Sequence, residues 1–211
     1  MKKSIIFVDA NNWYHNLKNY FTPGEIDISR LKEFISKEKN LEIIEIRGYA
    51  SMPNRKDNEL IYKRQRAFLG GLEKRGVKIV TRKLQKLSTK EIKKKGQQFI
   101  EDWDLCNICK PLVEASFLDI ADNLKKEKGI DVWIAVDMVK EAIKVDIDIA
   151  VLISGDADFV PDFSLIKEVG KEVLSCFVPR GYSNELRQKF PYLILTREIL
   201  IKCLKDYKKQ L

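Results

Sequence analysis

Residues 147–163 read IDIAVLISGDADFVPDF. Ile149, Ala150, Val151, Leu152 and Ile153 are all apolar and mostly β-branched, the composition of a strand covered on both faces. Ser154 and Gly155 end that run, Asp156 and Asp158 follow, and Phe159, Leu165 and Ile166 begin a helical pattern. Carboxylates placed where a buried strand gives way to a helix stand where an open α/β sheet keeps its ligands. Taken alone, Asp158 reads equally well as a helix N-cap.

The N-terminus supplies a second strand of the same kind. SIIFV at 4–8 is short, apolar and β-branched, and Asp9 ends it. Ala10, Asn11 and Asn12 follow, then Trp13 and Leu17 at helical spacing. If the two strands are parallel neighbours, Asp9 and Asp156 stand on one rim of the sheet. Carboxylates brought together repel one another unless a cation intervenes. Hard oxygen ligands in such a place suit Mg²⁺ or Mn²⁺.

Working outward, the pattern predicts helices over 11–21 and 28–36, a strand over 42–50, a long basic helix over 56–75 and a strand over 77–81. This alternation predicts a doubly wound, mostly parallel sheet, an α/β fold of three layers. Residues 82–128 break the rhythm and read as a basic, mostly helical insertion, with Lys93, Lys94 and Lys95 in a row and Pro111 as punctuation. Pattern returns over 129–144, a helix with Asp131 at its start and Asp137 among apolar neighbours. A step of about 100° per residue sets Asp137 about 120° from Asp131 around the axis, so the two do not face one metal. Asp131 is assigned to the site and Asp137 to a supporting or structural role. A helix over 158–169, a strand over 171–178, a turn at 179–182, a short helix capped by Ser183, a strand over 192–195 and a helix over 197–207 complete one domain over 1–211.

The 211 residues, 45% of them hydrophobic, suffice for one full core and argue against disorder. A net charge of +8 favours an anionic partner. No apolar run is long enough to cross a membrane, and the apolar part of the N-terminus is too short for a signal peptide, so the expected location is cytoplasmic. Of four cysteines, Cys176 and Cys203 sit in apolar patterns and read as buried. Cys106 and Cys109 form a lone CxxC, half of a zinc site that His15, the sole histidine, is not placed to complete. A reduced, unliganded pair is expected, and zinc shared between two copies in a homodimer is the alternative.

Four segments together resemble the NYN domain in its LabA-like branch, within the PIN-like nuclease superfamily: VDANN at 8–12, KGIDVWIAVDM at 128–138, LISGDADFVP at 152–161 and VGKEV at 169–173. The resemblance covers the α/β frame and leaves out the insertion. It implies a three-layer α/β/α fold and an acidic, metal-dependent site acting on RNA, with 5′-phosphate and 3′-hydroxyl products. By position, Asp9, Asp131, Asp156 and Asp158 match the acidic cluster, both catalytic and metal-binding. Asn12 matches the polar residue beside it, and Ser154 the serine that opens the SGD motif.

The expected function is therefore metal-dependent ribonuclease. Asn12 and Ser154 would position phosphate or water, and Arg180, Ser183, Arg187 and the Lys93–Lys95 run would hold the RNA backbone. A non-catalytic RNA- or protein-binding module with the same fold is the alternative. Phosphoryl transfer through an Asp9 nucleophile is disfavoured, because such sites want an acid two residues on and Asn11 stands there. Asp9 and Asp156 are expected to bind metal rather than cap helices, so that alanine at either costs no stability in metal-free buffer.

Overall fold

The computed structural model of the chain describes residues 1–56, 58–86, 94, 97–98, 100–102, 105–123, 125–126, 129–144 and 147–206; at 23, 85–86, 117–123 and 125–126 the description is of the backbone. The chain forms two compact units, Met1–Arg82 with Gly129–Leu211, and Lys83–Lys128.

In chain order the elements are β1 (Lys2–Asp9), α1 (Ala10–Leu17), α2 (Ile28–Lys39), β2 (Leu41–Met52), α3 (Glu59–Glu73), β3 (Val77–Lys83), β4 (Gln85–Lys86), α4 (Cys109–Asn123), β5 (Lys125–Lys126), α5 (Ile130–Lys144), β6 (Ile149–Ile153), α6 (Val160–Glu168), β7 (Glu172–Phe177), α7 (Asn184–Lys189), β8 (Tyr192–Ile194) and α8 (Arg197–Lys202). Six strands make one all-parallel sheet in the order β3-β2-β1-β6-β7-β8. In the second unit β4 pairs antiparallel with β5, and α4 is its long helix. Lys94 is helical and exposed there, while Lys93 and Lys95 lie outside the described residues.

Strand periodicity divides the core into two layers. Ile6 and Val8 of β1 pack with Val151 and Ile153 of β6 on one face, against Trp13 and Leu17 of α1 and Leu31 and Ile35 of α2. Ile5 and Phe7 face the other way, with Ala150 and Leu152, against Ile134 and Met138 of α5 and Phe163 and Ile166 of α6. Because both faces are covered, β6 is buried along its whole length. This is the three-layer α/β/α architecture expected from the alternation of strands and helices.

Several boundaries differ from the sequence pattern for local reasons. The first helix stops at Leu17, where the N–H groups of Tyr20 and Phe21 both turn back to the Leu17 carbonyl at 2.8 and 3.0 Å. The basic helix starts at Glu59 because Asn58 Oδ1 accepts the Ile61 N–H at 2.9 Å and caps it there. The last helix ends at Lys202. Beyond it, Leu204 bridges antiparallel to Ile26, and Lys205 donates to the Glu25 carbonyl, which takes the chain out of helical geometry.

Under α5 the sheet carries a buried ionic group. Arg47 on β2 donates to Glu141 at 2.9 Å and to Glu45, which also takes Lys78. Burial works against the Arg47 charge, but the two glutamates outweigh it and raise its pKa further. Tyr49 donates its hydroxyl to Asp137 at 2.7 Å, and Arg47 Nη1 stands 3.9 Å from the same carboxylate. Burial, then the Asp137 contact, raises the Tyr49 pKa, so this phenol remains a donor. Asp137 is thus held on the sheet by Tyr49 and Arg47, in a structural role.

The Arg47 and Glu141 side chains are only 14% and 9% exposed. Arg47→Ala should therefore cost about 3–5 kcal/mol, the scale for stranding a buried partner. Lys37→Ala, which breaks the exposed Lys37–Glu33 pair, should leave stability almost unchanged. Urea unfolding of both variants checks the contrast.

Candidate active site

The chain runs outward from β1 to β2 and β3, then returns to place β6 on the other side of β1. The crevice beyond the carboxyl ends of β1 and β6 is therefore the switch point of the sheet, where open α/β folds bind ligands. Parallel register sets Val8 beside Ile153, so the next residues, Asp9 and Ser154, emerge together.

Asp9 is 4% exposed. Its Oδ1 accepts the N–H groups of Asn11 and Asn12 at 3.1 and 3.0 Å, which caps α1. Its Oδ2 faces the Ser154 hydroxyl at 3.4 Å. Ser154 Oγ in turn accepts the Asp156 N–H at 3.3 Å, and Asp156 Oδ1 accepts the Asp158 N–H at 3.2 Å. One chain of contacts thus joins Asp9, Ser154, Asp156 and the Asp158 backbone. Ser175 of β7, fully buried, donates to the Ser154 carbonyl at 2.6 Å and fixes this corner from the other side.

The either/or between capping and metal binding does not survive this geometry. Asp9 caps α1, and Asp156 caps the single 3₁₀ turn Ala157–Phe159. Asp158 is not a cap; it is exposed in that turn, and α6 begins two residues later without a side-chain cap.

Asn12 Oδ1 accepts from Asn16 Nδ2 at 3.0 Å and from the Gly155 N–H at 3.4 Å. The backbone donor identifies the oxygen, and Asn12 Nδ2 then has no partner among the described residues. Asp156 Oδ2 likewise accepts no hydrogen bond among them. Among the described residues, a half-buried carboxylate oxygen and a half-buried amide donor are therefore left without a protein partner.

The turn at 179–183 is locked onto the same corner. Ser183 N–H donates to the Gly155 carbonyl at 2.7 Å, and the Tyr20 hydroxyl donates to the Pro179 carbonyl at 2.9 Å. A Cβ on Gly155 would stand 1.9 Å from the Gly181 carbonyl oxygen, so only glycine permits this approach. Arg180 is exposed and holds φ 64°, a left-handed conformation uncommon outside glycine. Ser183 Oγ caps α7 by accepting the Leu186 N–H at 3.1 Å. Arg187 lies over the Tyr182 ring at 5.1 Å and donates to its hydroxyl at 3.2 Å.

Asp131 sits half-buried in the first turn of α5, where a carboxylate complements the helix N-terminus. The residue before that helix, Gly129, accepts through its carbonyl from Arg82 of β3 at 3.3 Å. Among the described residues, no group of three or more histidine, cysteine, aspartate or glutamate side chains is gathered to hold a metal ion. The donor set still suits Mg²⁺, which is commonly held by one or two carboxylates while waters and substrate phosphates fill the remaining positions.

Asn16, Ser175 and Tyr20 were not singled out from sequence, yet all three support the site. Only Asn16 carried a readable signal, its i,i+4 spacing from Asn12.

A family model described as the NYN domain matches residues 3–197, and the chain belongs to that family. It is a nuclease-like family of PIN-like fold. No curated protein matches the chain.

Because Asp9 caps α1 with two hydrogen bonds, Asp9→Ala in metal-free buffer should cost about 1 kcal/mol or more, and Asp9→Asn distinctly less. Gly155→Ala should be worse than either, since its methyl group meets backbone rather than a movable side chain. Chemical denaturation of the three variants ranks them.

Proposed function

We propose that this NYN-domain protein is a metal-dependent ribonuclease of the LabA-like branch, acting in the cytoplasm on single-stranded RNA. The observation that carries the reading is a pair of groups at the switch point that have no protein partner among the described residues. Asp156 Oδ2 and Asn12 Nδ2 lie beside a buried carboxylate, at the carboxyl ends of the two central strands. A carboxylate oxygen suits a cation and an amide N–H suits a phosphate oxygen, so the two together suit a metal–phosphodiester complex.

Asp9 and Asp156, with Asp131 and Asp158, would hold Mg²⁺ or Mn²⁺. Such an ion, when bound, lowers the pKa of a water and neutralises charge on the phosphate. Asn12 donates to a phosphate oxygen. Ser154 ties the Asp9 carboxylate to the Asp156 backbone, since its hydroxyl faces Asp9 Oδ2 and accepts the Asp156 N–H. Arg180, in the turn locked to Gly155, and Arg187, on the helix whose start Ser183 sets, offer positive charge to the RNA backbone. Residues 82–128 form a basic insertion within one domain, and Lys93, Lys94 and Lys95 add phosphate affinity from there.

One observation favours a second reading. No third carboxylate completes a metal-holding group among the described residues, which suits a module that binds RNA or a protein without cutting.

Incubation of a labelled RNA with Mg²⁺, Mn²⁺ or EDTA separates the two. Cleavage that requires metal and leaves 5′-phosphate ends is expected. Losing partners one step removed from a metal typically costs 10–100-fold, so Asp156→Asn, which touches the ion, should lower the rate at least about 100-fold. RNA binding that persists in EDTA, with no product under any condition, would establish the binding module instead.

A further inference from the structure

Cys106 and Cys109 take no part in the proposed nuclease chemistry, and they lie in the second unit. Both are exposed and both are free thiols. The Lys110 N–H donates to the Cys106 carbonyl at 3.0 Å, which closes a helical turn containing the two cysteines at the start of α4. Residues three apart on such a turn share a face, with Cβ atoms about 5–6 Å apart, and a disulfide needs about 3.5–4.5 Å. A small closure of the first turn is enough to join them.

The pair is also chemically asymmetric. The N–H of Cys109, the Cys109 thiol and the N–H of Ile108 all favour the thiolate of Cys106 and lower its pKa. Cys109 moves the other way, because it donates to that thiolate and would share its charge. The two remaining cysteines provide an internal contrast. Burial raises Cys176 to about 12 and Cys203 to about 11, so both stay protonated and shielded at neutral pH.

We infer that Cys106 and Cys109 form a redox-active dithiol that exchanges with small disulfides, with Cys106 as the attacking thiol and Cys109 as the resolving one. The Cys106 thiolate attacks one sulfur of a low-molecular-weight disulfide RSSR, forms a mixed disulfide and expels one RS⁻. Cys109 loses its proton and attacks Cys106 Sγ, which closes the intramolecular disulfide and expels the second RS⁻. Both leaving thiolates take up the protons given by the two cysteines, so dithiol and RSSR become disulfide and two RSH. The small loop, two residues long, makes the second step intramolecular and fast relative to escape of the mixed disulfide.

The test is incubation of the full chain with oxidised glutathione, followed by alkylation of the remaining thiols and mass spectrometry. The wild type should lose two thiols, both in the 106–109 segment, and retain no glutathione. Cys109→Ser should trap one glutathione on Cys106. Cys106→Ser should react at least about tenfold more slowly at Cys109. Both positions are solvent-exposed, so circular dichroism of the two variants should match wild type. Glutathione retained on the wild type, or equal rates for the two single variants, would overturn the assignment. So would Zn²⁺ alone protecting both thiols while converting the chain to a dimer, since the pair would then be half of a shared metal site.

Discussion

The carboxyl rim of this sheet depends on keeping one charge buried. Asp9 is almost fully excluded from solvent, at the point where the central strand becomes a helix. A lone carboxylate there would be costly to ionise. Two backbone N–H groups at the start of α1 and the Ser154 hydroxyl offset that cost, and each does so by ordering a different piece of chain. The N–H groups fix where α1 begins, and Ser154 ties the end of β6 to the end of β1. Through Ser154 Oγ the constraint passes to Asp156 and then to Asp158.

Asn12 and Gly155 extend the same constraint across the crevice. The Asn12 amide takes the Gly155 N–H, and the Gly155 carbonyl takes the N–H of Ser183. One glycine thus bonds to the first turn of α1 on one side and to the turn after β7 on the other. Its missing side chain lets Gly181 come into contact, while Asn16 packs against Gly181 from α1. Three segments that are far apart in sequence, the start of α1, the turn after β6 and the turn after β7, are thereby tied together. This is how a parallel sheet presents precise polar geometry although its site residues lie at or beyond the ends of its strands.

Much of this was legible in the sequence. The buried run 149–153, the SGD that follows it and the parallel run ending at Asp9 were enough to give the architecture and the rim on which Asp9 and Asp156 meet. Periodicity carries such information because both faces of β6 are covered. Hydrogen-bond partners are a different matter. Nothing in the spacing showed that Asp156 rather than Asp158 would cap the turn, since both stand at the strand-to-helix junction and the choice rests on backbone angles. Ser175 looked like any small residue in an apolar strand, because what it does depends on register with Ser154. Asp137 could be separated from Asp131 by helix geometry, but its partners Tyr49 and Arg47 lie on a strand almost ninety residues earlier.

The double use of Asp9 bears on how such a site tolerates change. One oxygen caps a helix and the other faces Ser154, so a helix cap and a proposed metal ligand sit on a single carboxylate. Asparagine keeps a capping oxygen but discards the charge, whereas alanine discards both. The side chain at position 9 is therefore held in place by stability even where chemistry is not needed, and an aspartate there does not by itself distinguish an enzyme from a binding module. Asp156 is more informative. Its capping bond serves only a single 3₁₀ turn, and its second oxygen is left without a protein partner among the described residues. A fold gains little from that oxygen, whereas a ligand that brings positive charge gains a great deal, so Asp156 and its neighbour Asn12 are the residues of this rim that point to a ligand.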